Sequence, residues 1–324
     1  MSAGRGARLV VAAAFAAGAF ALLVWWIVWA RSASQMRLGV EEWASAQREA
    51  GFDVVFDEVR TKGFPFLLRG EVSNVSISDA AGRRWSVAAL YVDALPYAPD
   101  RRIISASNPQ AFDLGAHGLW SLEAKSARIS FDKPRDREWI VDIESGPGAF
   151  ARADGSMRIE AARFLMSVAP KRGEPERIEA SLMLEGGRAA LGEERIDAPR
   201  FELFIEAGDG EKGREIIARR IAGTLEGSEF AVAGAIGFDV EDRPAGVLEA
   251  EIAAPQGLAE FLRKTGALTR AEADQAGAAL ALAAIAGGGR LKGPIELKDG
   301  AASVAGVEIA KFVDDDEDGG GAQP

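Results

Sequence analysis

Few residues in this sequence could perform acid–base or nucleophilic chemistry. The chain contains one histidine, His117, in a stretch predicted to be a loop, and no cysteine. A lone imidazole could act as a general base, but no G-x-S-x-G nucleophile motif accompanies it, and a His-rich metal site would need further ligands. The carboxylates of the predicted strands alternate with apolar residues, which is typical of a solvated sheet face. The sequence therefore predicts a protein that is not an enzyme and holds no metal or cofactor.

One glycine-rich stretch matches a dinucleotide-binding motif. Residues 208–213 have the G-x-G-x-x-G spacing and follow a predicted strand. That motif binds a pyrophosphate only inside a β-α-β unit, whereas strands are predicted on both sides here. Asp209 and Glu211 would also repel a pyrophosphate. The stretch is therefore predicted to be a surface hairpin loop.

The longest apolar segment, residues 9–30, begins at Leu9 and ends at Ala30 without a charge or a proline. As a helix its 22 residues would be about 33 Å long, enough to cross a hydrocarbon core of about 30 Å. Trp25, Trp26 and Trp29 lie near its C-terminal end, as aromatic side chains do at a membrane–water interface. The segment is predicted to be a transmembrane anchor.

The short arm before this segment, residues 1–8, is predicted to be cytoplasmic, with the bulk of the chain exported. The competing interpretation is a cleaved signal peptide, with Ser32, Ala33 and Ser34 as the cleavage site. Its apolar core should then span about 7–15 residues, which is shorter than the segment here. The anchor is the preferred interpretation.

Charge excludes one class of partner. The net charge is −11. Nucleic-acid binding needs a basic face, so no nucleic-acid partner is expected, and attraction to an anionic membrane surface is not expected either. The absence of cysteine excludes disulfides and is compatible with an oxidising compartment.

A second helix is predicted over residues 31–51, beyond the apolar segment. Met36, Val40, Trp43 and Gln47 recur at helical spacing, and Gly51 is a suitable helix end. Two interpretations remain open: the helix packs on the domain that follows, or it continues the membrane helix.

Residues 52–313 change to a period of two, which predicts antiparallel strands with one apolar face. Paired turn residues, among them 186–187 and 209–210, predict chain reversals between strands. The clearest strand predictions are 85–92, 139–144, 178–185, 201–206, 232–240 and 248–252.

The alternation is interrupted at residues 255–287, which are predicted to form a helical hairpin. Its first helix should span Gln256 to Lys264, and Thr269 with Glu272 has the spacing of a capping box before the second. The preferred interpretation is that the hairpin covers a sheet edge or the open end of a barrel or groove; the alternative is a partner-binding helix. Strands return after residue 290, and residues 314–324 are predicted to be a disordered acidic tail. The predicted fold is mainly β, with an N-terminal transmembrane helix, one or more large curved antiparallel sheets and a C-terminal helical hairpin.

Several stretches resemble a known family when taken in order. They are 63–66 (GFPF), 85–87 (WSV), 95–99 (LPYAP), 266–273 (GALTRAEA) and 293–300 (GPIELKDG). Together they are similar to the bacterial domain of unknown function 2125, common in alphaproteobacteria, over about residues 34–313. The resemblance implies an N-terminal anchor in the inner membrane and a periplasmic domain, and it implies no activity.

A looser similarity, in the strand pair 234–239 and 246–248, extends to AsmA-like inner-membrane proteins, which are associated with lipid movement. It implies a function in envelope maintenance, with Val232, Ile236, Phe238 and Leu248 lining an apolar sheet face that binds a phospholipid. The alternative is an envelope scaffold that binds another protein. A continuous apolar groove would favour the first hypothesis, and a closed core with an apolar patch outside it would favour the second.

Overall fold

A computed structural model of the chain describes residues 3–95, 98–134, 137–210, 213–238, 243–298, 301–304 and 307–311. Helices and antiparallel strands account for most of these residues, and strands predominate. The chain divides into two compact units. Unit 1 comprises Met1–Leu122 and Arg128–Asp132, and unit 2 comprises Glu123–Ala127 and Lys133–Pro324. The predicted mainly-β fold, with one N-terminal apolar helix and two C-terminal helices, is confirmed.

Unit 1 consists of one long helix and short antiparallel strands. Strand β3 is central, because it pairs with β1, β2 and β4, and β4 in turn pairs with β5 and β6. The elements are α1 (Ala3–Glu49), β1 (Asp53–Val55), β2 (Val59–Lys62), β3 (Leu68–Ser78), β4 (Arg84–Leu95), β5 (Ala98–Ala106), β6 (Gln110–Asp113), β7 (Leu119–Ala124) and β8 (Ala127–Asp132).

Helix α1 runs without a break from the apolar segment to the strands of unit 1. It is long and apolar enough to cross a membrane. Its C-terminal half packs on β1, β2 and β3. The two interpretations left open for residues 31–51 therefore both apply to one helix, which continues the apolar segment and also packs on the domain.

The face of α1 that packs on unit 1 differs in one position from the predicted face. Ala33 and Ala44 are 4% and 0% exposed, and Val40 contacts the core cluster of β3 and β4. Trp43, predicted on this face, is 43% exposed. The neighbouring Ala44 occupies the packed position instead, and its small side chain is fully buried.

The end of α1 is fixed by two interactions. Gly51 adopts φ +93°, and the N–H groups of Gly51 and Phe52 donate to the carbonyls of Arg48 and Gln47, closing a Schellman cap as predicted from Gly51. The Arg48 guanidinium donates twice to the Val54 carbonyl, from Nε at 2.9 Å and Nη2 at 2.6 Å. The helix end is thereby joined to β1.

Unit 2 is built on an antiparallel meander in which consecutive strands from β12 to β20 are neighbours. Its strands are β9 (Ile140–Ser145), β10 (Gly148–Arg152), β11 (Met157–Ala161), β12 (Arg163–Lys171), β13 (Glu174–Leu191), β14 (Glu194–Gly210), β15 (Gly213–Leu225), β16 (Ser228–Phe238), β17 (Pro244–Ala253), β18 (Arg290–Lys298), β19 (Ala301–Val304) and β20 (Val307–Lys311).

The predicted chain reversal at Gly186 and Gly187 is wrong. Strand β13 continues through both glycines and changes partner there, from β12 before the pair to β11 after it. Gly186 has φ +62°, and a Cβ on it would lie 2.7 Å from the Ala162 side chain. The two glycines therefore lie where a long strand changes its partner. In sequence, a glycine pair at such a position cannot be distinguished from a glycine pair in a turn.

Helices α2 (Gln256–Lys264) and α3 (Arg270–Ala286) have the predicted bounds, and Thr269 and Glu272 form the predicted capping box. Helix α2 lies against β14, β15 and β16. Arg263 pairs with Glu194 at 2.9 Å, and Lys264 pairs with Glu226 at 2.6 Å. These ion pairs hold the hairpin at the end of the sheet where β14 begins and β15 ends.

Candidate functional site

One face of the unit 2 sheet, here called the apolar face, carries an almost uninterrupted series of apolar side chains. The register aligns alternate residues of seven strands, β12 to β18, into rows that cross the sheet. One row consists of Val168, Ala180, Ile205, Ala218, Gly234, Leu248 and Ile295; the next consists of Met166, Leu182, Leu203, Ile221, Val232, Ala250 and Gly293. With strands about 4.8 Å apart, the face is about 29 Å wide.

Most large side chains of the apolar face are only partly covered. Ala218, Leu248 and Leu297 are buried and form one contact cluster. Ile205, Ile221, Val232, Ile236 and Ile295 pack against this cluster but remain half-buried. A contiguous, partly open apolar surface of this width is typical of a binding site for an apolar ligand, a membrane or a partner protein.

A bulge in β15 keeps the apolar face continuous. The register with β14 and β16 shifts after Ala218, so that two residues, Arg219 and Arg220, occupy the place of one. Both arginines reach the opposite face, where Arg219 pairs with Glu206 and Arg220 with Glu202. Ala218 and Ile221 can therefore both contribute to the apolar face although they are three residues apart.

The opposite face is charged and internally paired. Glu251 accepts from Arg290 at 2.7 Å and lies 3.3 Å from the Lys292 ammonium. Glu206 accepts from Arg219 at 2.7 Å and lies 3.3 Å from Lys171 Nζ. These cross-strand pairs suit a water-facing surface. The sheet is therefore amphipathic, with one charged face and one apolar face.

Among the residues that the structure describes, Glu206 is the buried carboxylate of the charged face, since its side chain is 6% exposed. The hydrogen bond from Arg219 lowers the pKa of this carboxyl, and Lys171 lowers it further against the opposing effect of burial. A lowered folded-state pKa stabilises the fold above the unfolded pKa of about 4.3, and this contribution disappears as the pH falls through the folded-state pKa.

We expect Glu206→Gln to lower the free energy of unfolding by about 1–3 kcal/mol at pH 7, because two charge-assisted bonds are lost. The difference from the wild type should shrink as the pH falls below about 4. Thermal unfolding followed by circular dichroism between pH 3 and pH 7 measures it. Glu229→Gln, at an exposed position of β16, is the matched control. Equal destabilisation by Glu206→Gln at pH 3 and pH 7 would contradict the assignment.

The two ends of the apolar face differ. At the hairpin end, the rings of Phe201 and Phe230 lie 6.4 Å apart, and Ile252 is buried beside them in the register. At the other end, the Arg214 guanidinium lies 5.8 Å from the centre of the Phe238 ring, and Asp209 is the register partner of Arg214. The apolar face is therefore bounded by helices at one end and by charged side chains at the other.

Three of the four predicted lipid-binding residues, Val232, Ile236 and Leu248, lie in one cluster of the apolar face. Phe238 lies apart from them at the charged end. Sequence reasoning missed Ala218 and Ile221, because the bulge at 219–220 interrupts the period of two that would have revealed β15.

The other motifs have plain structural roles. His117 ends a short 3-10 turn, is exposed, and offers its backbone carbonyl to the Trp120 indole N–H at 3.0 Å. Residues 208–210 end β14 and residue 213 begins β15, as a hairpin requires; Glu211, Lys212 and the tail 314–324 lie outside the described residues. Among the residues described, no group of His, Asp and Glu could hold a metal ion.

Comparison with curated proteins and with solved structures gave no match. A family model described as "Uncharacterized protein conserved in bacteria (DUF2125)" matches residues 29–312, which include nearly all of both units. This match agrees with the order of motifs between residues 63 and 300. The chain therefore belongs to the DUF2125 family.

Proposed function

We propose that this protein is a membrane-anchored, non-enzymatic lipid-binding protein of the bacterial envelope, with unit 2 in the periplasm. The apolar face of unit 2 would hold the acyl chains of a phospholipid. The observation that carries the proposal is the extent of half-buried aliphatic side chain across seven strands, since such a surface needs a cover that side-chain packing does not supply.

The anchor is supported by the exposure and continuity of α1. Phe15, Phe20 and Leu22 are 77%, 68% and 64% exposed, so the apolar segment faces outward as a membrane helix does. Cleavage beside Ala33 would cut the helix at a residue that is buried within unit 1. A retained helix is therefore the better interpretation, and the lipid-binding unit would stay beside the membrane that supplies its ligand.

The ends of the apolar face support a phospholipid over a purely apolar ligand. Arg214 and Asp209 place charge of both signs at the end near Phe238, where a head group would lie. Helix α2 occupies the opposite end. A ligand with a charged head and apolar chains matches this polarity.

The test uses a photo-crosslinking amino acid in cells grown with labelled phosphate. With p-benzoylphenylalanine in place of Ile236, ultraviolet light should attach labelled phospholipid to the full-length protein. Val247 is the matched control, since it lies on the neighbouring strand, faces the other side and is 50% exposed. Equal labelling at positions 236 and 247, or none at position 236, would refute the proposal.

A charged substitution should abolish the same labelling. With the crosslinker at position 232, Ile236→Asp should reduce lipid labelling at least about tenfold, because an unpaired carboxylate is costly beside acyl chains. Ile236 is half-buried, so the fold should survive, and the circular dichroism spectrum checks this. Val247→Asp should leave the labelling unchanged. Undiminished labelling of a folded Ile236→Asp variant would contradict the assignment.

One observation favours the alternative, an envelope scaffold. Leu282 and Ile285, three residues apart on α3, are 70% and 74% exposed. Such a pair suits contact with another protein. With the crosslinker at position 285, a discrete protein adduct combined with no lipid adduct at position 236 would favour the scaffold.

A further inference from the structure

A short aromatic loop of unit 1, residues 63–67, lies against the membrane segment of α1. The Trp25 indole N–H donates to the Pro65 carbonyl at 2.7 Å, and the Trp29 indole N–H donates to the Leu67 carbonyl at 3.1 Å. The rings of Trp29 and Phe64 meet edge to face with centres 5.7 Å apart. Two tryptophans, one helical turn apart, thus attach the loop to the helix.

The two tryptophans that bind the loop lie within the apolar segment of α1. Trp25 precedes Ala30, the last residue of the apolar segment, by five residues, or about 7.5 Å along the axis. The Pro65 carbonyl that it binds is therefore beside the apolar segment. The loop residues GFPFL carry no charge.

Several backbone polar groups of the loop are paired, which lowers the cost of entering a bilayer. The Leu67 N–H donates to the Gly63 carbonyl at 3.0 Å, and proline has no N–H to satisfy. The carbonyls of Pro65 and Leu67 accept from the two indoles. Gly63, at φ +106°, allows the tight return, because a Cβ there would lie 2.5 Å from the Leu67 oxygen.

The aromatic side chains of this loop are exposed, although Phe64 also contacts Trp29. Phe66 is 76% exposed and Phe64 is 46% exposed, the former among the most exposed large apolar side chains that the structure describes. Phenylalanine at this exposure in water is unfavourable, whereas the same ring beside an interfacial tryptophan would lie among lipid chains.

We propose that residues 63–67 are a second membrane contact, which inserts Phe66 and Phe64 into the outer leaflet beside α1. This proposal rests on the assignment of α1 as a membrane-spanning helix. The loop contact fixes the height and rotation of unit 1 relative to the bilayer, which one helix alone would not do. The contact is apolar, so it requires no anionic lipid and agrees with the net charge of −11.

The chain has no cysteine, so single cysteines can each carry one environment-sensitive fluorophore. The full-length protein is reconstituted into phosphatidylcholine vesicles with the label at Phe66→Cys, Leu22→Cys or Gly82→Cys, the last in the turn between β3 and β4. We expect the label at position 66 to emit at shorter wavelength than the label at position 82. It should be quenched by lipids with a nitroxide high on the acyl chain and protected from iodide.

The label at position 22 distinguishes a failure of the membrane-span assignment of α1 from a failure of the loop contact. If position 22 reports the bilayer interior while position 66 behaves like position 82, the loop contact is refuted and the span stands. If positions 22 and 66 both report water, the span itself is wrong and the loop contact fails with it. Nitroxide quenching at position 66 that is lost when Trp25 and Trp29 are both changed to leucine would confirm that the indoles hold the loop in place.

Discussion

Replacing Gly257 with alanine should destabilise unit 2 by about 3 kcal/mol, through a collision that no side-chain rotation can relieve. A Cβ at this position would lie 2.1 Å from the backbone oxygen of Glu226 and 2.8 Å from the Ser228 hydroxyl oxygen. Ser228 is 1% exposed, and its hydroxyl accepts from the Leu258 N–H at 3.0 Å and also donates to the Ala254 carbonyl. The added methyl group would therefore push α2 off the sheet and leave a buried hydroxyl with poorer partners.

The matched control is Gly277→Ala in α3. A Cβ there would lie 3.7 Å from the Ala259 side chain, an ordinary contact, and alanine favours a helix over glycine by up to about 1 kcal/mol. Urea unfolding should therefore show Gly277→Ala equal to or more stable than the wild type. Hydrogen exchange should show α2 exposed in Gly257→Ala alone. Equal effects of the two changes would mean that the hairpin does not lie this close to the sheet.

These two glycines show what sequence can and cannot specify. The bounds of α2 and the capping box at Thr269 and Glu272 are local features, so residue types and spacing were enough to predict them. Whether glycine is required at a position depends on which atoms of the folded protein would contact an added Cβ. Gly277 leaves room for a Cβ, whereas the close contact is at Gly257, beneath which the turn between β15 and β16 passes.

The strand predictions also depended on whether local sequence alone determined the structure. Alternation correctly indicated β13, β14, β16 and β17, because each keeps a strict period of two through its predicted core. Strand β15 was not predicted, since its bulge at 219–220 shifts the apolar positions by one residue. The extra residue belongs to β15 alone and is defined only relative to β14 and β16, so its place could not be found without knowing the pairing.

The burial of individual residues in the candidate site could not be predicted from the sequence either. Val232 and Leu248 belong to the same kind of alternating row, yet Leu248 is 8% exposed and belongs to the buried cluster, while Val232 is half-buried against it. Leu248 is buried together with Ala218 and Leu297, two residues of other strands that are distant in sequence. The register places the predicted residues on one face, but residues of the core and residues open to a ligand could not be separated from the sequence.

Replacing Ala44 with leucine should have the second large effect, the release of α1 from unit 1. Ala44 is 0% exposed, and its helix contacts β1, β2 and β3. Three additional carbon atoms in this space should cost about 1–3 kcal/mol, because helix and strands must move apart to admit them. Ala46→Leu, at an exposed position of the same helix, is the control and should be nearly neutral.

Limited trypsin digestion measures this release directly. In the wild type, the guanidinium of Arg48 is engaged by the Val54 carbonyl and the helix ends in a closed cap, so the bond after Arg48 should resist cleavage. Loss of the Ala44 contact should expose that bond and separate α1 from the strands. Ala46→Leu should be cut as slowly as the wild type. If Ala44→Leu is equally resistant, close packing at position 44 does not hold α1 to unit 1, and the Arg48 contact with Val54 would be sufficient to hold the helix end on the strands.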